Sequence, residues 1–174
     1  MKLLTVIIEE KQFSIPIGLI RETLENAEYT PVEGADKDIS GLMNLRGQII
    51  TVISPGEHFK DQNKEPSESL TPNDSGAKRG WMVVLKKNSE LNELQTKEGL
   101  QKGTSKHYYA LKIDGIEDVY ELGEDELVSL PGNTPENEAK YLAGIARFEG
   151  GVVPVLNVHK LINEEPILEE GDNA

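Results

Sequence analysis

Residues 39–59 read ISGLMNLRGQIITVISPGEHF, and residues 142–162 read LAGIARFEGGVVPVLNVHKLI. The second stretch repeats the first. Gly41 matches Gly144, 103 residues on, and at the same offset Gly47 matches Gly150 and Val52 matches Val155. Between these anchors apolar meets apolar: Leu42 with Ile145, Leu45 with Phe148, Ile49-Ile50 with Val152-Val153, Ile53 with Leu156. An apolar run broken by a tight Gly turn and resumed is the pattern of a β-hairpin, with Gly47-Gln48 and Gly150-Gly151 as the expected turns. A stretch this long used twice is one supersecondary unit in two copies. The chain is therefore expected to hold two small β-rich lobes.

The copying extends upstream. Ile15, Ile17, Ile20, Glu22 and Leu24 align with Leu111, Ile113, Ile116, Asp118 and Tyr120, 96 residues on. The two offsets differ, so the copies carry unequal internal loops. Each copy has a leading strand, a bend and a later hairpin.

Composition narrows the choices. Of 174 residues, 37% are hydrophobic, with three Phe and one Trp, so the core must be built from Ile, Leu and Val, which suit pleated surfaces. Either lobe alone would be small and marginal, because small domains bury a lower share of their surface, so the two are expected to share an interface. The net charge of −13 disfavours nucleic acid, whose binding needs clustered Lys and Arg, and an anionic membrane surface. With no cysteine, disulfides, thiolate nucleophiles and cysteine metal sites are excluded. No apolar run approaches membrane-spanning length. Residues 3–8 are too short for a signal-peptide core and end at Glu9-Glu10, so they read as the first strand of a cytoplasmic protein.

The pattern predicts a first hairpin, 3–8 with 12–15, around a three-residue turn at Glu9-Glu10-Lys11. Residues 17–25 are ambiguous, because Ile17, Ile20 and Leu24 have helical spacing in a short segment. Residues 27–39 read as a loop. Lobe 1 is expected over about 1–60, a polar linker over 60–79, lobe 2 over about 80–157, a helix capped by Asn157 over 158–163 and an acidic tail over 164–174. Within lobe 2, residues 81–85 form a strand. The polar insert 86–106 offers a thin helical face at Leu91, Leu94 and Glu98. Strands over 108–113 and 116–122 flank Asp114-Gly115, a tight-turn dipeptide, and 123–140 reads as loop.

Catalytic signatures are missing. His58, His107 and His159 are scattered and read as surface imidazoles, with no zinc-type spacing. There is no phosphate cradle and no G-x-S-x-G nucleophile elbow. Glu9-Glu10 and Glu169-Glu170 sit at chain edges, where a raised pKa is not expected. No catalytic residue, cofactor site or metal site is assigned.

One motif set carries a resemblance. Gly41-Leu42-Met43-Asn44-Leu45-Arg46-Gly47 with Ile49-Ile50-Thr51-Val52 behind it resembles the G-apolar-apolar-N-L-R-G hallmark of the CheW family. Gly144-Ile145-Ala146, Gly150 and Val153-Pro154-Val155-Leu156 resemble that family's C-terminal motif. Leu19-Ile20-Arg21-Glu22 and Ile113-Asp114-Gly115-Ile116 resemble its apolar-R-E-apolar and V-D-x-V segments. The resemblance implies an all-β fold, two intertwined SH3-like barrels around a shared hydrophobic core with a short C-terminal helix. It implies a cytoplasmic, non-catalytic adaptor of a chemotaxis two-component system. Its expected partners are the regulatory domain of a CheA-type histidine kinase and the cytoplasmic tip of a methyl-accepting chemoreceptor. Such a scaffold works by protein–protein geometry, raising effective concentration.

The partner-binding residues the resemblance implies are Arg46, Glu22, Ile20, Gly41, Leu42, Asn44 and Gly47. A Glu22–Arg46 ion pair is expected, since the guanidinium fork suits a carboxylate. It serves either to fix the hairpin against the preceding segment or to contact the receptor. Gly41 and Gly47 answer backbone needs, and Asn44 caps or bridges loops. Ile20 and Leu42 either line an apolar groove between the lobes or belong to the ordinary core. The chain departs from the pattern at Ile53-Ser54-Pro55-Gly56-Glu57, where the family continues V-D-L-R, and at the insert 86–106. Two rival functions follow: a β-barrel binding module that holds another signalling partner through its long inserts, and an enzyme with a site at the lobe interface.

Overall fold

The computed structural model describes residues 1–60, 78–92, 107–123 and 126–162. Among these residues eleven strands make two sheets. In chain order they are β1 (Lys2–Ile8), β2 (Lys11–Pro16), β3 (Ile20–Tyr29), β4 (Ile39–Leu45), β5 (Gln48–Ile53) and β6 (Lys78–Leu85). Then follow β7 (Tyr109–Ile113), β8 (Gly115–Glu121), β9 (Leu127–Val128), β10 (Leu142–Phe148) and β11 (Gly151–Leu156). The six-stranded sheet has the order β8-β1-β2-β11-β10-β9, and the five-stranded sheet β3-β6-β7-β5-β4. Each curls into an SH3-like barrel. Among the described residues three short helices accompany them: α1 (Gly56–Phe59), α2 (Glu136–Ala139) and α3 (Val158–Ile162).

The repeat is written into the ladders. Gly41 pairs with Val52 and Gly144 with Val155; Met43 pairs with Ile50 and Ala146 with Val153. The parallel contacts agree too: β5 meets β7 at Val52–Ala110, and β11 meets β2 at Val155–Ser14. Leu4 opposes Ile15 and Val119, while Val83 opposes Leu111 and Thr23. Thus β1, β2, β8, β10 and β11 are the counterparts of β6, β7, β3, β4 and β5. Position 24 corresponds to 120, and 45 to 148.

Strand pairing cuts across the division into lobes at 1–60 and 80–157. The hairpin β1–β2 belongs to the barrel that β8–β11 complete, and β6–β7 belongs to the barrel of β3–β5. The two copies exchange their leading hairpins. The physical reason lies in burial: β1, β2, β6 and β7 carry apolar residues on both faces and need a cover for each. Met82, Val84 and Ala110 pack inside the five-stranded barrel with Tyr29, Met43, Ile50 and Val52. Their neighbours Val83, Leu85, Leu111 and Ile113 face the opposite way and meet Leu4, Val6, Ile8, Phe13 and Ile15 of the other sheet in one shared core. The smaller interior of the six-stranded barrel holds Leu3, Leu122, Ala146 and Val155. Phe59 of α1 packs against Phe13 at 4.5 Å between ring centres, and Val158, Leu161 and Ile162 of α3 close the shared core.

Several local expectations are corrected. The first hairpin turns on two residues, Glu9-Glu10, both at positive φ (53° and 66°), because a primed turn matches strand twist. Residues 17–25 are a 3-10 turn at Ile17–Leu19 followed by β3, which runs on to Tyr29. The three-residue step from Ile17 to Ile20 spans the 3-10 turn, and within β3 a bulge between Ile20 and Glu22 inserts Arg21 into the two-residue period, so Ile20 and Leu24 face opposite sides. The β4–β5 turn falls on Arg46-Gly47, with φ of 52° and 84°, one residue earlier than expected, and β11 already begins at Gly151. Asp114-Gly115 closes no hairpin: β7 pairs with β5 and β6, and β8 with β1, so the dipeptide carries the chain between sheets. Asp114 is tied there by its N–H to Ile7 O (2.8 Å) and by its carboxylate accepting from Glu9 N–H (2.8 Å). Residues 123–140 hold β9 and α2. In the insert, Asn88–Glu90 form a 3-10 turn, while Leu94 and Glu98 lie outside the described residues. Asn157 caps α3, its side-chain oxygen accepting from Lys160 N–H at 3.1 Å. His58 is no surface imidazole; its side chain is 16% exposed and stacks on Tyr141 at 3.8 Å.

Candidate functional site

The β4–β5 turn stands at one end of the five-stranded barrel and leans over the start of β3. Asn44 fixes the turn by accepting from Gly47 N–H at 3.0 Å. Arg46 therefore projects from a left-handed position that favours Gly, Asn or Asp. Its Nη2 donates to Glu22 Oε1, the ion pair expected from the sequence. The Arg46 side chain is 63% exposed and that of Glu22 25%. An exposed pair of this kind contributes about 0–1 kcal/mol to stability. The fold does not depend on it, and the guanidinium keeps free donors facing solvent.

Gly41 sits deeper. A Cβ there would run into Thr30 O, at the backbone bridge where Thr30 and Leu42 exchange N–H···O bonds of 2.8 and 2.9 Å. Gly144 does the same beside Val128 O, at 2.7 Å from an added Cβ. Close approach, more than turn geometry, is why both copies keep this glycine. Ile20 and Leu42 are not brought together. Ile20 packs against the shared core, whereas Leu42 is 40% exposed and lines a groove between β3 and β4.

Residues beyond the seven enlarge the site. Because Arg21 is the bulged residue, its side chain emerges beside that of Glu22, and Nη1 donates to Gln48 Oε1 at 3.2 Å. Tyr108 lies beneath two cations, Arg21 at 4.7 Å and Lys87 at 4.4 Å from the ring centre. Glu90 completes the cluster, accepting from Lys87 N–H at 2.9 Å and bonding the Tyr108 hydroxyl. Burial pushes Glu90 up, but these hydrogen bonds and the charges of Arg21 and Lys87 outweigh it and hold the carboxyl below its ordinary range. Burial, then the Glu90 hydrogen bond and charge, push the Tyr108 phenol up. The sequence did not flag Lys87, at the start of the polar insert, or Tyr108, just beyond its end; no local pattern shows a bulge or a cross-barrel approach.

The counterparts invert the charge. Arg21 corresponds to Glu117, Glu22 to Asp118, and Arg46 to Glu149. Tyr108 corresponds to Gln12, which donates to Glu117. One barrel end presents Arg-Glu-Arg where the other presents Glu-Asp-Glu.

Among the described residues no group of three His, Asp or Glu is placed to hold a metal ion, and no helix is long and apolar enough to cross a membrane. Fold and site together define a two-barrel protein whose distinctive chemistry lies on exposed surfaces of β-hairpins. The family model described as a CheW-like domain matches residues 2–166, and the chain belongs to that family. A chemotaxis protein CheW from Treponema pallidum (strain Nichols) is 23% identical over 168 residues, covering 95% of this chain and 84% of the relative. The crystal structure of the scaffolding protein TtCheW from Thermoanaerobacter tengcongensis shares the fold. Its TM-score is 0.67 and its identity 17%, covering 96% of this chain and 97% of that one.

Proposed function

We propose that this protein is a non-catalytic, cytoplasmic adaptor that couples chemoreceptors to a CheA-type histidine kinase, in chemotaxis or a related motility pathway. Family membership supports the class. The observation that carries the site is the conformation of Arg46. A long cationic side chain occupies a turn position with φ of 52°, where glycine costs less, and forms a mostly exposed ion pair that stabilises little. Such strain is kept where the side chain acts on something outside the fold. Glu22 aims the guanidinium, Asn44 and Gly47 shape the turn, and Gly41 sets β4 against the end of β3. Arg21 and Lys87, both seated over the Tyr108 ring, widen the cationic surface. One partner surface is assigned to the kinase's regulatory domain and another to the receptor's cytoplasmic tip; no covalent step is involved.

The test is a titration of the full chain with each partner, wild type against Arg46→Ala. A loss of at least tenfold in affinity for one partner is expected. Unchanged affinity for both removes Arg46 from the interface. Deleting residues 93–106 separates this reading from that of a module binding through its insert: the adaptor keeps both partners without them.

A further inference from the structure

The two barrels differ at the seam where each sheet closes on itself. In the six-stranded barrel the seam lies between β8 and β10. Tyr120 stacks there on Phe148, with ring centres 4.3 Å apart and planes 13° apart, and β9 pairs alongside at Leu127 and Val128. In the five-stranded barrel the seam lies between β3 and β4. By ladder register Leu24 stands in the place of Tyr120, and Leu45 in the place of Phe148. The leucines leave it open. A groove of about 550 Å³ remains, walled by Leu24, Ala27, Leu42 and Leu45, with Glu25 and Glu28 on its border. The Thr30–Leu42 bridge closes one end, and the Arg46–Glu22 pair spans the seam beyond the other.

We propose that this groove receives an aromatic side chain of a partner protein, carried on an extended segment with Lys or Arg beside it. The other barrel shows what this architecture buries at the seam: aromatic rings, there supplied by the chain itself. Three further features fit that occupant. Its walls are apolar side chains, and Leu42 among them is 40% exposed, so an aromatic ring seated there would cover apolar surface. Glu25, on a chain of net charge −13, favours cationic flanks, while Glu28 beside it is paired with Arg79 at 3.7 Å. Between β3 and β4 the ladder among described residues is the single Thr30–Leu42 bridge, so the β4 edge past Leu42 is open to an added strand at Asn44. This site goes beyond the adaptor reading, and its test involves neither kinase nor receptor.

The test is a titration of the ¹⁵N-labelled full chain with the capped tripeptide Lys-Trp-Lys, with Lys-Ala-Lys and Glu-Trp-Glu as controls. Saturable amide shifts at Leu24, Ala27, Leu42 and Leu45 are expected, with none at Tyr120 or Phe148. Lys-Ala-Lys should give none, and Glu-Trp-Glu should bind at least threefold more weakly. The double variant Leu24→Tyr/Leu45→Phe copies the closed seam and should weaken Lys-Trp-Lys at least tenfold. If that variant misfolds, Leu42→Glu, at a partly exposed wall, should weaken it as much. No shifts, shifts elsewhere, or undiminished binding by the folded variant overturns the proposal.

Discussion

Adding one methyl group at Gly41 tests whether the hairpin is held by backbone close approach. In Gly41→Ala the new Cβ would overlap Thr30 O and lie 2.7 Å from the Thr30 carbonyl carbon and 2.9 Å from Pro31 Cα. All three are backbone atoms, so no side chain can swing aside. The strands must separate, and the two Thr30–Leu42 hydrogen bonds break. Each is worth about 1 kcal/mol net. Holding alanine near the native φ of 156° adds roughly 1 kcal/mol more. The expected loss is about 3 kcal/mol, or a fall in Tm of roughly 6–12 °C for a chain of this size. Urea denaturation should show a lower midpoint at unchanged slope. Two controls rank the cause. Gly144→Ala, against the two-residue strand β9, should cost about 1–2 kcal/mol. Gly47→Ala, at positive φ with open space around it, should cost about 1 kcal/mol. A Gly41→Ala loss no larger than that of Gly47→Ala refutes the close-approach account.

Arg46→Gly relieves the left-handed strain and should raise stability by about 1 kcal/mol in the same denaturation assay, while weakening partner binding as Arg46→Ala does. Thr5 Oγ1 is buried without a hydrogen-bond partner, so Thr5→Val should stabilise by about 1 kcal/mol; a loss would mean the hydroxyl is satisfied. The Glu90 carboxyl has a folded pKa below its ordinary 4.5. Its contribution is therefore fully present above that value and fades as pH falls through the lower folded pKa. Tyr108→Phe removes one hydrogen bond to the carboxylate and should move the Glu90 titration, followed by NMR, upward. Arg21→Glu gives the basic barrel end the charge of Glu117 at its counterpart, and should lower partner affinity and flatten its salt dependence; an unchanged salt slope would exclude Arg21 from the contact surface.

The repeat, the all-β class and the hairpins on either side of Gly47 and Gly150 were legible in the sequence, because each rests on short-range periodicity or a compact motif, whereas the Arg46–Glu22 pair, 24 residues apart, was expected only through the family resemblance. Asn157 as a helix cap was legible for the same reason. The exchange of leading hairpins was not. Residues 1–16 look equally apolar whichever barrel they join, and only two-sided burial of β1 and β6 decides. The 3-10 turn at Ile17–Leu19 gave the entry to β3 a helix-like spacing, and the emergence of Arg21 next to Glu22 came from a bulge in the ladder with β6. Asp114-Gly115 has hairpin chemistry, yet β7 and β8 found partners in different sheets.

What the sequence by itself determined is the set of paired units and their apolar faces, since alternation and turn residues act within a few positions of one another. Tertiary structure alone decided which unit completes which barrel, why Gly41 must lack a side chain, and where one seam stays open while its counterpart is filled. Those outcomes depend on atoms brought together from about 10 to over 100 residues apart in the chain, at distances that no local pattern encodes.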